Sequence, residues 1–268
     1  MAHPSKPIAL SVILPAYNEK DRLPPYLTSI ARYLSQRGDS YEIVVVDDGS
    51  QDETAQKVRQ FAVEAPAVRL IRLPDNRGKG AAVRAGMLAA QGTLRLMADA
   101  DGATPIQEIE RLEHALAEGT DLAIGSRFLG SRDHRYQVQA RWHRTVLGNV
   151  FNQMAQRLGL EGITDTQCGF KLFRKRVAED LFSVARIDGY GFDLEVLYVA
   201  RRRDYRIAEV PINWTDQPGS KVRVVRDGLR MFRELLAVRR HAAQGLYRRH
   251  ESTDVRQELR QSAESRRY

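Results

Sequence analysis

The sequence predicts an α/β fold in which a mostly parallel sheet is covered by helices. Short apolar runs alternate with longer segments of helical periodicity, a pattern typical of parallel strands joined by crossover helices. Polar and charged clusters follow these runs, where ligands collect on such sheets. The 268 residues are 43% hydrophobic and 28% charged, which suits a globular chain with a large core and excludes a disordered or fibrous one.

Five strands and four helices are predicted in the first half of the chain. The strands occupy residues 9–14, 42–47, 68–73, 93–98 and 122–125. The helices lie between them, at about 21–37, 52–65, 79–91 and 105–118. This alternation predicts that helices cover both faces of the sheet.

The regular alternation ends near Arg132. A loop is expected to about residue 138, then a helix to about 160 and a polar loop that leads into 169–173. Helices near 175–185 and 192–203, a strand over 206–214 and a turn at 216–220 follow. The apolar residues then recur at helical spacing, which predicts an amphipathic helix with one apolar face formed by Val225, Leu229, Phe232 and Leu236.

The positive charge is concentrated at the C-terminal end. The whole chain has 42 Lys+Arg against 34 Asp+Glu, a net charge of +8. Residues 221–268 contain 13 of these basic and 6 of these acidic residues, a net charge of +7. We therefore divide the chain into a main domain, 1–220, and a basic amphipathic helical tail, 221–268, and expect an anionic partner at the tail. A membrane surface and a nucleic acid are the two candidates.

Neither a secretion signal nor a membrane-spanning segment is recognisable. Residues 1–7 have no apolar region, and no run approaches the roughly 18 apolar residues that a spanning helix needs. The single cysteine, Cys168, permits no intramolecular disulfide and no cysteine-based zinc site. Both observations fit a reducing, cytoplasmic location.

The sharpest local signal is Asp99-Ala100-Asp101-Gly102, directly after the fourth predicted strand. Two carboxylates at a strand end can bind a divalent cation whose other ligands are diphosphate oxygens and water. A solvated acidic turn is the alternative interpretation of an isolated pair of aspartates.

Three further motifs follow other predicted strands. The residues 15–19, PAYNE, offer an aromatic ring and a carboxylate to a nucleobase. The residues 46–50, VDDGS, offer a second carboxylate pair, and 76–80, NRGKG, offer backbone N–H groups to a phosphate at a helix N-terminus. Each motif also fits turn or helix-cap chemistry. Because four motifs of matching chemistry fall at four successive strand ends, one shared cleft is the better explanation.

These motifs, together with MADADGAT at 97–104, resemble those of the family 2 inverting glycosyltransferases of GT-A fold. Later segments are similar to the branch that contains the dolichyl-phosphate glucosyltransferases and mannose synthases. They are GSR at 125–127, DTQCGFK at 165–171, FDLE at 192–195, NW at 213–214 and GSK at 219–221. The resemblance covers about residues 8–240.

The resemblance implies a set of site residues. Those for the nucleotide sugar are Pro15, Ala16, Tyr17, Glu19, Asp47, Asp48, Lys79, Arg84, Asp99 and Ala100. Those for the cofactor, Mg²⁺ or Mn²⁺, are Asp99 and Asp101. Those for the acceptor phosphate are Arg127, Arg141, Arg144 and Lys221, and the catalytic residues are Asp101, Arg127 and Asp193.

Two positions leave room for another interpretation. Asp193 stands near the general base of relatives that glycosylate hydroxyl groups, but it starts a predicted helix and could equally cap it. Ala103 stands where the mannose synthases have a glutamine two positions beyond the second aspartate, so the metal would depend more on water or on Asp99.

The function implied by the resemblance is a metal-dependent hexosyltransferase. It would move glucose from UDP-glucose to a polyprenyl phosphate, dolichyl or undecaprenyl, with inversion to a β-linked product. GDP-mannose and UDP-GlcNAc are alternative donors. A sugar nucleotidyltransferase and a nucleic-acid-binding protein that uses the basic tail are alternatives from other classes, although the acidic cleft motifs speak against nucleic acid.

A lipid acceptor also implies a location. We expect peripheral association with an anionic membrane surface on the cytoplasmic side, through the helix that begins near Val225. Packing of the same apolar stripe on the main domain, or in a homodimer, is the alternative.

Overall fold

Among the residues that the computed structural model describes, 7–139, 156, 160–218 and 224–248, nine strands form one large and one small sheet. In chain order they are β1 (Leu10–Ala16), β2 (Tyr41–Asp47), β3 (Val68–Arg72), β4 (Leu94–Ala98), β5 (Leu122–Ser126), β6 (Val138–Gln139), β7 (Phe170–Arg174), β8 (Ile207–Pro211) and β9 (Trp214–Thr215). The large sheet has the order β3-β2-β1-β4-β7-β5-β8, and β6 pairs with β9.

Helices connect most of these strands. They are α1 (Leu23–Arg37), α2 (Thr54–Glu64), α3 (Lys79–Ala89), α4 (Ile109–Ala117), α5 (Arg127–Ser131), α6 (Lys175–Val184), α7 (Phe192–Arg202) and α8 (Val224–Ala243). The first four match the predicted crossover helices. Prolines begin α1, and Gly38 ends it in the left-handed conformation at φ 74°, as sequence rules for helix ends predict.

The sheet is buried on both faces, as predicted. Along β1, Val12 and Leu14 belong to the core beneath α1, α2 and α4. Ile13, between them, belongs to the core formed with α3, α6, α7 and α8. Successive strand residues point to opposite faces, so a strand that is apolar throughout needs cover on both sides.

One strand runs against its neighbours. The pairs β1–β2, β2–β3, β1–β4 and β5–β8 are parallel, so the sheet is mostly parallel as predicted. Between β4 and β5, however, lies β7, which is antiparallel to both. The sequence left residues 169–173 without a place in the sheet. Local periodicity shows that a segment is buried, but it does not show which strands lie beside it.

The single strand expected over 206–214 is wrong in its extent. It is divided into β8, which joins the large sheet beside β5, and β9, which joins β6. Pro211 is the last residue of β8 and has no N–H with which to continue a ladder. The helix expected between about 138 and 160 lies almost entirely outside the described residues.

The C-terminal helix packs on the main domain through residues that the predicted stripe does not include. Leu235 and Val238 of α8 are buried in the core that also contains α7. Phe232 and Leu236, which belong to the predicted stripe, are instead 44% and 51% exposed. In the part of the chain that the structure describes, no helix is long and apolar enough to span a membrane. The domain boundary at residue 220 falls outside these residues and stays a prediction.

Candidate active site

The polar segments that follow β1 and β2 are joined by hydrogen bonds. The Asn18 N–H donates to Ser50 Oγ at 2.8 Å, and the Glu19 N–H donates to Thr54 Oγ1 at 2.7 Å. Pro15 and Ala16 are the last residues of β1, which places the PAYNE motif at the carboxyl edge of the sheet. Two of the four predicted motifs therefore form one continuous rim.

The Asp47-Asp48 pair shapes the loops of this rim. Asp48 accepts the N–H groups of Arg77 and Gly78 at 2.9 and 2.8 Å, which fixes the glycine loop, defined here as residues 76–80. Burial raises the pKa of Asp48, against the lowering effect of these two hydrogen bonds. Asp47 accepts the Ser50 N–H at 3.0 Å. Both carboxylates accept backbone N–H groups and thereby fix the loops. Their structural role is therefore larger than the sequence indicated.

An arginine that the sequence did not single out links two motifs. Arg22 donates from Nε and Nη2 to the two carboxylate oxygens of Glu19, at 2.7 and 2.5 Å. Its Nη1 lies 3.8 Å from Asp101 Oδ2. Glu19, expected to bind the nucleoside, is thus paired with a cation, while Tyr17 lies half-buried beside it. The sequence does contain a signal for this ion pair, because Glu19 and Arg22 are three residues apart at the start of a helix.

Asp99 and Asp101, the carboxylate pair, lie at the end of β4 as predicted. Lys79 Nζ, at the start of α3, lies 2.6 Å from Asp99 Oδ1. The Asp99 N–H donates to the Gly169 carbonyl at 3.0 Å, and a Cβ on Gly169 would overlap the Asp99 carboxylate. Ala100, between the two, is buried in the core. The glycine loop and the end of β4 therefore meet at one point.

The carboxylate pair fits a divalent cation. Burial raises the pKa of Asp101, and the nearby charge of Asp99 raises it further, while the charges of Arg22 and Lys79 oppose that rise. Asp99 Oδ1 is buried and receives no well-oriented hydrogen bond from the described residues, although the Lys79 ammonium lies against it. No group of three or more metal-binding side chains occurs in the described part of the chain. A cation held here would share its coordination with oxygens of a ligand.

Lys79 and Arg84 both belong to α3 but face different partners. Lys79 faces Asp99 and lies 5.9 Å from the centre of the Phe192 ring. Arg84 Nη2 donates to Asp188 Oδ1 at 2.5 Å, which turns Arg84 toward the loop between α6 and α7. The structure therefore brings Lys79, rather than Arg84, next to the carboxylate pair.

Arg127 is the first residue of α5 and binds a buried carboxylate. Its Nε and Nη2 donate to the two oxygens of Asp165 at 2.8 and 2.7 Å, and its guanidinium lies 5.5 Å from the centre of the Trp214 ring. Burial alone would raise the pKa of Asp165, but the charge and hydrogen bonds of Arg127 outweigh it and hold the pKa below its usual value. Because Nε and Nη2 donate to Asp165, Arg127 would bind a ligand through Nη1.

Asp193 lies in the first turn of α7 and forms a buried ion pair with Lys171 of β7. Lys171 also donates to the Cys168 carbonyl at 2.7 Å. Burial raises the pKa of Asp193, while the charges of Lys171 and Lys79 oppose that rise. The helix-cap alternative is wrong, because Gly191 is the N-cap residue and the Asp193 carboxylate is directed to Lys171.

Several site residues were missed, and some were left untested. Arg141, Arg144 and Lys221 lie outside the described residues. The residues that hold site groups in place without having been assigned a role are Arg22, Asp165, Gly169, Lys171 and Asp188. Lys171 carried a signal, because a charge within the apolar run of β7 must find a partner when it is buried.

The comparison with protein families agrees with this geometry. The model of the family "Glycosyl transferase family 2" matches residues 11–182. The chain belongs to glycosyltransferase family 2. The matched span contains the PAYNE motif, the glycine loop, the carboxylate pair and β7, whereas α7 and α8 lie beyond it.

Relatives within glycosyltransferase family 2 match most of the chain. A dolichyl-phosphate beta-glucosyltransferase of Dictyostelium discoideum is 38% identical over 259 residues, which cover 92% of this chain and 78% of the relative. The human dolichyl-phosphate beta-glucosyltransferase is 38% identical over 89% of this chain and 77% of its own length. The Saccharomyces cerevisiae enzyme of the same name is 37% identical over 90% of this chain and 77% of its own length.

Solved structures show the same fold, which is GT-A. Glucosyl-3-phosphoglycerate synthase of Mycobacterium tuberculosis superposes with a TM-score of 0.64 and 21% identity, over 86% of this chain and 80% of that one. Mannosyl-3-phosphoglycerate synthase of Rubrobacter xylanophilus gives a TM-score of 0.65 and 19% identity, over 92% and 78%. The mycobacterial enzyme has also been crystallised with Mn²⁺ and UDP-glucose.

Proposed function

We propose that this protein transfers glucose from UDP-glucose to dolichyl phosphate or another polyprenyl phosphate. The observation that carries the proposal is the length of the match to named relatives, which at 37 to 38% identity extends over about nine-tenths of the chain. The arrangement of Lys79 against the carboxylate pair supports it, because a cation and two carboxylates at one strand end suit a nucleoside diphosphate with its metal.

The donor would bind along the rim formed by the ends of β1, β2 and β4. The glycine loop, held by Asp48, presents backbone N–H groups at the start of α3, and Lys79 adds a positive charge there. Asp99 and Asp101 would hold Mg²⁺ or Mn²⁺, which neutralises charge on the diphosphate when it is bound. As the leaving diphosphate gains charge, Lys79 stabilises it more strongly than it stabilises the bound donor.

The acceptor oxygen attacks the anomeric carbon of glucose while the bond from that carbon to the diphosphate breaks. One displacement inverts the configuration and yields β-linked glucosyl phosphate and UDP. A phosphate monoester is already anionic near neutral pH, so no proton has to be removed. The burial of Asp193 against Lys171 agrees with this, since a carboxylate paired in that way is poorly placed to act as a base. Arg127 Nη1 would bind the acceptor phosphate.

The experiment that tests this function is a donor panel. Purified protein is incubated with dolichyl phosphate, a divalent cation and labelled UDP-glucose, GDP-mannose or UDP-GlcNAc, and the lipid product is released by mild acid. We expect transfer from UDP-glucose alone, with glucose as the released sugar. Transfer from GDP-mannose alone, or to a hydroxyl acceptor with no lipid product, would contradict the proposal.

The exposed side of α8 would hold the protein against an anionic membrane on the cytoplasmic side. Phe232 and Leu236 are one turn apart and exposed, and Arg239 and Arg240 follow Leu236 by one turn. An apolar pair beside arginines is typical of an interfacial helix, and each basic residue near such a surface contributes on the order of 1 kcal/mol. The lipid acceptor would then be met at the surface where it resides.

Sedimentation with vesicles of phosphatidylcholine and phosphatidylserine tests this contact. The variant Phe232→Ser/Leu236→Ser should lose most of its binding, and salt should weaken the binding of the unaltered protein. Val63→Ser is a matched control, because Val63 is 82% exposed on α2, away from α8. If all of these proteins bind the vesicles equally well, the membrane contact lies elsewhere. If none of them binds, the proposed membrane contact is excluded.

A further inference from the structure

Residues 185–191, between α6 and α7, support the glycine loop from behind. We call them the backing loop. The Ala81 N–H donates to the Asp188 carbonyl at 3.2 Å, and the Asp188 carboxylate binds Arg84 at 2.5 Å. The two backbones are so close that a Cβ on Gly78 or Gly80 would overlap carbonyl oxygens of the backing loop. A shift of one loop must therefore displace the other.

On its far side, the backing loop is held by the C-terminal helix. Glu234 Oε2 of α8 accepts the Gly191 N–H at 2.7 Å. The same carboxylate lies over Gly189 and Gly191, and a Cβ on either glycine would overlap it. Arg230 donates to Glu234 Oε1 at 3.0 Å from one turn away. The carboxylate is therefore held between the backing loop and its own helix.

A second contact from the same segment acts on the other end of the backing loop. Glu195 of α7 accepts the N–H groups of Arg186 and Ile187 at 2.8 to 2.9 Å. The Tyr247 hydroxyl, which follows α8, donates to Glu195 Oε1 at 2.6 Å. Two residues of the C-terminal segment, Glu234 and Tyr247, thus fix both ends of the backing loop.

We infer that Glu234 is a positioning residue for the donor site. It contacts the backing loop, and through that loop it acts on the glycine loop and on Lys79. The C-terminal helix is then part of the donor site, although it lies beyond the span that the family model matches. This inference rests on the proposed function only in assigning the glycine loop to the nucleotide.

The first test is nucleotide binding, measured by calorimetry with UDP and Mn²⁺. Glu234→Ala should weaken UDP binding about tenfold, as the loss of one hydrogen bond to a charged acceptor predicts, with the KM for lipid phosphate unchanged. Glu234→Gln keeps an acceptor oxygen for the Gly191 N–H and should restore binding to within about twofold. Arg230→Ala is the matched control, because it removes the neighbouring ion pair but leaves the contact to Gly191.

A double-mutant cycle shows whether the contact itself is responsible. Gly189→Ala places a Cβ against the Glu234 carboxylate and should weaken UDP binding when Glu234 is present. In the Glu234→Ala background the same change should add little, because the atoms that the Cβ would overlap, Oε1, Cδ and Oε2 of Glu234, have been removed. Additive effects, or UDP binding by Glu234→Ala equal to that of the unaltered protein, would overturn the inference.

Hydrogen exchange separates this inference from the proposed function. If the unaltered protein does not bind UDP, the donor assignment fails, but the exchange of the Ala81 amide without nucleotide still reports on the loop contact. We expect faster exchange there in Glu234→Ala and not in Arg230→Ala. Unchanged exchange in Glu234→Ala would contradict the positioning role whatever the nucleotide proves to be.

Discussion

The proposed site has two halves that hold their charges in different ways. We call the glycine loop with Asp99 and Asp101 the donor half, and Arg127, Asp165, Lys171 and Asp193 the acceptor half. In the donor half, the Lys79 and Asp99 side chains form an ion pair while they are 21% and 37% exposed. In the acceptor half, the Lys171 and Asp193 side chains are only 2% and 4% exposed. The first pair borders the open rim, and the second lies inside the protein between β7 and α7.

This difference indicates which charged side chains can leave their ion-pair partner and contact a ligand. A partly exposed pair contributes little net free energy, so its members can exchange partners when a diphosphate and its cation arrive. A buried pair cannot open without leaving an uncompensated charge, and breaking it costs several kcal/mol. The Lys79–Asp99 pair is therefore suited to exchange partners with bound ions, whereas the Lys171–Asp193 pair is a fixed support.

The largest expected effect is on stability. Asp193→Asn leaves the Lys171 ammonium buried without its countercharge and should lower the free energy of unfolding by about 3–5 kcal/mol, measured by urea denaturation. The double variant Lys171→Met/Asp193→Leu should recover most of this loss, because no charge remains buried. In the folded fraction, Asp193→Asn should reduce turnover less than Asp101→Asn does. A single variant as stable as the unaltered protein would contradict the comparison.

The next effect is on catalysis, in the donor half. Asp101→Asn should reduce turnover roughly a hundredfold through the loss of a metal contact to the leaving diphosphate. Its free energy of unfolding should change little, because the Asp101 side chain is 27% exposed. Initial rates with and without EDTA provide the check. Full turnover in excess EDTA would remove the metal from the mechanism.

A smaller effect is expected where the two halves meet. Gly169→Ala would push the Asp99 carboxylate aside and should raise the KM for the nucleotide sugar about tenfold, with little change for the acceptor. In an Asp99→Ala background the same substitution should have almost no effect, since the clash is with the carboxylate. Equal effects in both backgrounds would show that Gly169 acts through something other than Asp99.

The smallest effect is a pH dependence in the acceptor half. Arg127 holds the pKa of Asp165 below its usual value, so their stabilising interaction is present above that value and is lost as pH falls through the lowered pKa. Asp165→Asn should therefore remove the part of the stability loss that occurs as the pH falls below the usual aspartate pKa of about 3.9. Urea denaturation of both proteins at three pH values measures this. If the free energy of unfolding changes with pH in the same way for Asp165→Asn and the unaltered protein, the prediction is contradicted.

Much of the fold could be predicted because it depends on local pattern. The first five strands and four helices follow from periods of two and 3.6 residues, and their ends agree to within a few residues. The place of β7 could not be predicted, because the pairing of Lys171 with Met97 and Ile124 joins segments far apart in sequence. The contact of α8 with the domain was not predicted either, since it is made by Leu235 and Val238, which lie outside the predicted stripe.

The site was predictable where the motif and its position coincide. Asp99 and Asp101 lie where the sequence placed them, because a strand end fixes the residues that follow it. The partners of these residues were harder to find. Arg22, Asp165 and Glu234 form contacts that depend on the packing of whole elements, and no local spacing encodes those contacts for Asp165 or Glu234.

The reversal of β7 determines which connection of the chain reaches the cleft. Because β7 runs opposite to β4 and β5, the segment that reaches the cleft is the one before β7, and it ends at Gly169 beside Asp99. The same segment contains Asp165, which binds Arg127. A change of acceptor specificity made in this segment would therefore have to keep Gly169 for the sake of Asp99 and Asp165 for the sake of Arg127.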